Sequence, residues 1–399
     1  VGHNNGPLEG LRVLELGSLI AGPFAGRLFA DFGARVIKVE PPVGGDPLRK
    51  WRMLKEGTSL WWYVQSRNKE CITVNLKDEE GQKIIHDLIK ETDIVVENFK
   101  PGTLEKWNLG YETLKAINPR LIMVRISGYG QDGPYHARPG FGSVGEAMGG
   151  IRHLTGYPVL PPTRSGISIG DSLAALYAVM SSMMALHHLQ KNGEGQMIDV
   201  ALYEVIFSLM ESLVPEFDQF GFVRERTGNT LPGIAPSNIY LTKDKKYIVI
   251  GANGDSIFKR LTHAMKRPDL EENPKYTHND GRAEDAAFLD EQIEAWTSGL
   301  EAKDALEILE KNGIPSGAIY NAQDMFEDIH FQARKMIESL HVNGIGELKV
   351  PGIVPKFSKT PGKLRWAGPK LGEHNSTVLQ ETLGLDETTM QRLRDNGVI

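Results

Sequence analysis

Leu11-Arg12-Val13-Leu14-Glu15-Leu16, then the turn from Gly17 to Gly22, then Pro23-Phe24-Ala25-Gly26-Arg27-Leu28-Phe29-Ala30-Asp31-Phe32, then Gly33 and Arg35-Val36-Ile37-Lys38-Val39-Glu40: the reading of this stretch decides the fold. The first and last runs have strand composition. The middle run has helical spacing, with proline near its first turn and glycine closing it. Strand, helix and strand at this spacing make a βαβ unit, which implies a parallel sheet with a right-handed crossover. The alternation continues with a strand at Ile72 to Leu76, a helix from Asp78 to Glu91 and a strand at Asp93 to Asn98. Leu104 to Ile117 reads as mostly helical, and Leu121 to Ser127 as a strand. The first 130 residues therefore predict a doubly wound α/β domain.

Further along, residues 128–170 are rich in glycine and proline and read as loops of the kind that build sites beside a parallel sheet. A long apolar helix follows from Asp171, then a strand at Met197 to Ala201 and helix over 204–220. The Gly/Pro loop from Thr227 to Asn238 is a plausible boundary. Beyond it, a strand at Lys246 to Gly251 and charged helical segments over 255–311 predict a second, smaller α+β domain. From Asn375 the tail ends in a polar helix pattern.

The totals agree with that division. A chain of 399 residues is too long for one ordinary core. The 40% hydrophobic and 24% charged shares are those of a soluble globular protein. A net charge of −6 argues against a nucleic-acid partner recruited by bulk charge. Cys71 is the one cysteine, so no internal disulfide and no multi-cysteine metal site is expected, and a reducing, cytoplasmic setting suits it. The N-terminus has no apolar core, which predicts no signal peptide. The apolar stretch 173–189 carries Ser181, Ser182, His187 and His188, and reads as a buried helix rather than a membrane span. No histidine pair has metal spacing; His187 and His188 are adjacent on a helix, one interior and one at the surface.

The candidate for chemistry is Asp171, in Gly166-Ile167-Ser168-Ile169-Gly170-Asp171-Ser172. An aspartate at a helix start caps free N–H groups, and the helix dipole favours its charged form. Apolar neighbours would raise its pKa instead. A carboxylate that is charged yet away from bulk water can act as a nucleophile, whereas the plainer reading is a cap and no more. The glycines at 17, 22 and 26, with Glu40 ending the second strand, invite a dinucleotide reading, but the spacing is not G-x-G-x-x-G. Basic and polar residues gather at the strand ends, Lys38, Lys77, Asn98 and Lys106 among them, where lysines can meet phosphates as point charges. A solvated rim is the plainer account. Trp51, Trp61, Trp62 and Tyr63 form an aromatic cluster that reads as core or interface.

These residues together resemble the family III CoA-transferases (the CaiB/BaiF family). The resemblance runs through Pro7 to Glu15, Ala21-Gly22-Pro23, Gly33 to Glu40, Asn68-Lys69, Val96 to Gly102, Ser127 to Gly130, Gly170-Asp171 and Gly193 to Gln196. It implies an interlocked homodimer with a Rossmann-like large domain built from both chain ends. Residues 1–222 would be its first part, 223–325 the small α+β domain and 326–399 the return segment. It implies Asp171 as the catalytic nucleophile and Lys77, Asn98, Phe99 and Lys106 toward CoA; Lys38, from its strand end, is a further candidate for CoA, and no metal or tightly bound cofactor is expected. Acyl-CoA and a carboxylic acid would be the reacting partners, with neither nucleic acid nor membrane involved. The dicarboxylate branch, with succinyl-CoA as donor, matches the overall texture best, and Arg164 or Arg138 would hold a second carboxylate. Ile20 replaces a glutamine of the formyl-CoA branch, and Gly142, or Glu146 by another alignment, stands where that branch has a glutamate. Phe141 replaces the histidine base of the family's racemases, and phenylalanine cannot move a proton. A racemase or a CoA-binding protein without turnover is the alternative. The loop from Gly228 to Asn238 is the expected lid.

Overall fold

The computed structural model describes residues 6–399. Within them the chain forms two compact units. One runs to Ile151, resumes over Arg164–Gly221 and again over Phe331–Ile399. The other comprises Arg152–Thr163 and Phe222–His330.

The first unit is built on β1 (Arg12–Glu15), β2 (Arg35–Glu40), β3 (Glu70–Thr73), β4 (Ile94–Glu97), β5 (Ile122–Ser127) and β6 (Met197–Ala201). These six strands lie in the order β3-β2-β1-β4-β5-β6, every neighbouring pair parallel. This is the doubly wound order of the Rossmann fold, reversing direction between β1 and β4. All six residues of β5 are buried, as expected of a strand covered on both faces. One face packs Leu14, Val39, Val95 and Met123 against Ile85 and Leu88 of α2 (Glu79–Ile89) and against the C-terminal segment through Met390 and Leu393. The other packs Val13, Val36 and Val124 against Ala25 and Phe29 of α1 (Ala21–Asp31) and Ala174, Ala175 and Ala178 of the long helix that starts at Ile169.

Three departures from the sequence reading have physical causes. First, the loops expected over 128–170 contain a helix, α3 (Gly142–Met148). Its glycines serve close packing rather than turning: a Cβ on Gly145 would lie 2.7 Å from the Leu202 side chain, and one on Gly149 would lie 2.5 Å from Ile206. Second, the long helix α4 (Ile169–Asn192) begins two residues early, so Asp171 lies inside its first turn and Ser168 holds the cap position. Its small residues Gly170, Ala174, Ala178, Ser182 and Ala185 make the buried face, while Leu176, Met180 and Met184 are exposed, so the helix is only partly buried. His187 and His188 are both exposed; neither is interior. Third, residues 204–220 form two helices, α5 (Leu202–Phe207) and α6 (Leu213–Phe220), broken where Glu211 takes a φ of 51°.

The second unit has an antiparallel sheet of β7 (Ser237–Leu241), β8 (Tyr247–Gly251) and β9 (Ser316–Ala318), ordered β9-β8-β7. Tyr240, Ile248 and Ile250 pack against Leu261, Ile293 and Leu309 of the helices between the strands.

Candidate active site

Ligands of parallel sheets bind outside the carboxyl ends of the strands where the strand order reverses. Here that place lies beyond Glu15 of β1 and Glu97 of β4. Asn98, just past β4, joins the two sides: its Oδ1 accepts from the Ser18 N–H at 2.8 Å and its Nδ2 donates to the Ser18 carbonyl at 2.9 Å. The approach is close enough that a Cβ on Gly17 would sit 2.6 Å from the Asn98 oxygen. Glycine at 17 is thus a packing requirement, not a phosphate-cradling one.

Two cavities open at this junction and share Ser18 and Phe99 in their walls. The first, about 480 Å³, is mostly apolar, with Leu16, Val39, Val74, Leu76, Phe99 and Trp107, and has Lys77 on its lining. Phe99 and Trp107 meet edge to face at 5.3 Å. The second, about 640 Å³, is lined by Asn98, Phe99, Gly128, Arg138, Phe141, Gly142, Glu146, Arg164 and Asp171, among others.

Asp171 is half-buried on the first turn of α4, and its carboxylate accepts from its own backbone N–H. Burial, and then the negative charge of Glu146, raise its pKa to about 6, while its own backbone amide and Arg164 pull the other way. The helix start does not hold it fully charged, because desolvation outweighs the first-turn donors. Gly142, the first residue of α3, abuts it: a Cβ there would lie 2.0 Å from Asp171 Oδ2. Glu146, one turn along, is 1% exposed, and its Oε1 accepts from the Gly170 N–H at 3.4 Å. Arg164 is exposed, with long contacts of 3.3 Å to the carbonyls of Ser165 and Ile167. Arg138 is exposed and stacks 3.5 Å over the Tyr135 ring.

The structure brings Asp171, Asn98, Phe99 and Lys77 to the two cavities and leaves Lys106 out of both; it is exposed at the end of a short helix, Thr103–Lys106. Lys38 requires a correction. It touches the first cavity, but its ammonium is fully buried between Glu15 at 2.8 Å and Asp46 at 2.9 Å, and donates to the Gly17 carbonyl at 2.9 Å. Burial lowers its pKa, but the carboxylates of Asp46, Glu15 and Glu40 more than offset that and raise it above the ordinary lysine value. With these three acceptors engaged, Lys38 has no donor to give a phosphate. Glu40 is no ribose-binding acid either: it pairs with Arg49 at 2.7 Å and accepts from the Asp46 N–H. Asp46, which the sequence reading passed over, also accepts from the Leu19 N–H and shapes the loop after β1. Asp before Pro47 at the start of a helical turn was its sequence signal. Among the described residues, no group of three or more His, Cys, Asp or Glu is placed to hold a metal ion.

Comparison with known proteins places this arrangement. The sequence matches the family described as CoA-transferase family III over residues 8–375. It is 51% identical, over 98% of each chain, to the succinyl-CoA–D-citramalate CoA-transferase of Chloroflexus aurantiacus. It is 41% identical, again over 98% of each, to the β subunit of that organism's succinyl-CoA–L-malate CoA-transferase. Among solved structures, a CaiB/BaiF family protein from Brucella suis superposes with a TM-score of 0.84 at 35% identity, over 94% of this chain and 99% of the other. The fold is that of the CaiB/BaiF family, and the class is that of the CoA-transferring enzymes. The chain belongs to CoA-transferase family III, and is a CoA-transferase that takes CoA thioesters as substrates.

Proposed function

We propose that this enzyme moves CoA from succinyl-CoA to a second dicarboxylic acid through a covalent intermediate on Asp171. The observation that carries the reading is the placement of Asp171: a half-buried carboxylate in a cavity of about 640 Å³ that adjoins a second, apolar one. An extended CoA thioester suits such a pair. The adenosine end takes the first cavity against Phe99 and Trp107, with Lys77 toward the phosphates, and the acyl end takes the second. The names of the relatives favour succinyl-CoA as donor and a dicarboxylate as acceptor.

In the first step an Asp171 oxygen attacks the thioester carbonyl. A C–O bond forms, the C–S bond breaks, and the CoA thiolate leaves with the electron pair. The thiolate then attacks the aspartyl carbonyl of the mixed anhydride, making an aspartyl-CoA thioester and releasing succinate. The acceptor carboxylate attacks that thioester, and the returning thiolate completes the new acyl-CoA and frees Asp171. Arg164, beside Asp171 and only loosely held, pairs with the far carboxylate of the dicarboxylate. The working unit we propose is an interlocked homodimer, in keeping with exposed Phe217 and Phe220 on α6.

Hydroxylamine trapping tests the nucleophile. Enzyme incubated with succinyl-CoA and then hydroxylamine should carry a hydroxamate at residue 171 by peptide mass spectrometry. An unmodified Asp171, or an Asp171→Ala variant that still exchanges CoA, overturns the reading.

A further inference from the structure

We propose that Glu146 is a positioning residue that drives the loading of Asp171: its buried carboxylate stands against the nucleophile's charge, and the opposition ends when Asp171 is acylated. The inference rests on the reading of Asp171 as nucleophile.

Two glycines bring the carboxylates together. Gly142 lies against Asp171, and a Cβ on Gly170 would lie 3.3 Å from Glu146 Cγ, so α3 and the first turn of α4 close on each other where side chains would hold them apart. Glu146 is 1% exposed and lines the same cavity as Asp171. Through the Gly170 N–H it is tied to the residue that precedes the nucleophile. A glutamine keeps an oxygen that can accept that hydrogen bond but loses the charge. The charged groups that act on Asp171 are Glu146 from α3 and Arg164 from the segment before α4, with Arg138 on the wall of the same cavity.

Two like charges in a desolvated site raise the free energy of the empty enzyme. When the Asp171 oxygen forms its bond to the acyl carbon, the negative charge passes to the thiolate sulfur. When the thiolate then attacks the aspartyl carbonyl, the charge leaves on the released carboxylate. Residue 171 is now a neutral thioester, and Glu146 faces no anion. The buried repulsion is therefore present before loading and absent after it. A more basic carboxylate is also the better nucleophile.

The test compares wild type with Glu146→Gln and Glu146→Asp, using succinyl-CoA and two readouts. Intact mass gives the ratio of enzyme-CoA thioester to free enzyme, and kcat/KM against pH gives the acid limb. In Glu146→Gln the limb should move down by about one pH unit, and the loaded-to-free ratio should fall about tenfold. Glu146→Asp, which keeps the charge, should retain the wild-type limb. An unmoved limb and ratio in Glu146→Gln overturn the proposal, as does the same loss in both variants. Absence of any adduct on wild-type Asp171 overturns the nucleophile reading instead. Should Glu146→Gln fail to fold, Asp171→Asn relieves the same repulsion from the other side. Its thermal midpoint at pH 8 should exceed that of wild type, and an equal or lower midpoint overturns the proposal.

Discussion

Asn98 and Ser18 exchange two hydrogen bonds across the point where the sheet reverses its strand order, side-chain amide to backbone amide and carbonyl. The pair ties β1 to β4 beneath both cavities. Replacing Asn98 with alanine removes both bonds and leaves two backbone groups of Ser18 without this partner. The expected cost is about 1–3 kcal/mol in urea unfolding, with a raised KM for acyl-CoA. Asn98→Asp should cost more, because a carboxylate then faces the Ser18 carbonyl. An Asp variant as stable as the Ala variant, or more so, would show that the Ser18 carbonyl does not oppose a carboxylate there.

Position 142 tolerates no side chain while Asp171 keeps its place. In Gly142→Ala the carboxylate must shift to escape a contact of 2.0 Å. A displacement on that scale should lower kcat by about 100-fold, since reacting groups lose alignment. Single-turnover kinetics should place the loss in the loading step. An unimpaired loading rate would mean that the carboxylate has more freedom than the packing implies.

The pH dependence follows from the raised pKa of Asp171. Its nucleophilic form is the anion, and with a pKa of about 6 the anion is lost as pH falls through that value. The expected kcat/KM is flat above about pH 7 and falls about tenfold per unit below about pH 5. The stability effect has the opposite sense. A carboxyl whose folded pKa exceeds its unfolded value favours folding at low pH, and that advantage disappears as pH rises from 3.8 to about 6. A pH-rate profile with its acid limb near 4 would contradict this.

Lys38 and Lys77 should separate cleanly. Lys38→Met leaves Glu15 and Asp46 buried without their shared cation, although Lys69 still pairs with Glu15 at 2.7 Å. The expected loss is about 3–5 kcal/mol of stability, read by denaturant unfolding. Lys77 is exposed at the first cavity, so Lys77→Met should keep its stability and raise the KM for CoA thioesters. The reverse pattern would restore Lys38 to the phosphate-binding role first expected of it.

Arg164→Gln should discriminate between acceptors. A charged hydrogen bond to the far carboxylate is worth about 1.5–3 kcal/mol, so the KM for dicarboxylate acceptors should rise about 10- to 100-fold. Monocarboxylate acceptors should be nearly unaffected. An equal loss for both would mean that Arg164 acts on Asp171 rather than on the acceptor.

The sheet was legible because its signals are local. Alternation of strand and helix from Leu11 to Ser127 sets parallel pairing, and the sites of such sheets follow from strand order. Asp171 was legible because glycine and a lone acid precede a long apolar helix. The glycines at 142, 145 and 149 fall in the stretch read as loop, because the sequence does not distinguish a glycine that bends the chain from one that admits a neighbouring helix. Lys38 was misread for a related reason. A lysine at a strand end looks available until Glu15 and Asp46, distant in sequence, are seen around it. Glu146 surfaced only as an uncertain alignment; what makes it consequential, closeness to Asp171, is a tertiary fact.

The last stretch of the chain is threaded back into the first unit. Trp62 Nε1 and Arg49 donate to the Pro369 carbonyl, Asn68 Nδ2 donates to the Lys363 carbonyl, and the Asn75 N–H donates to the Val398 carbonyl. Early donors therefore wait for acceptors that leave the ribosome roughly three hundred residues later. Until that segment emerges, the nascent N-terminal half must persist with one face of its sheet incompletely covered.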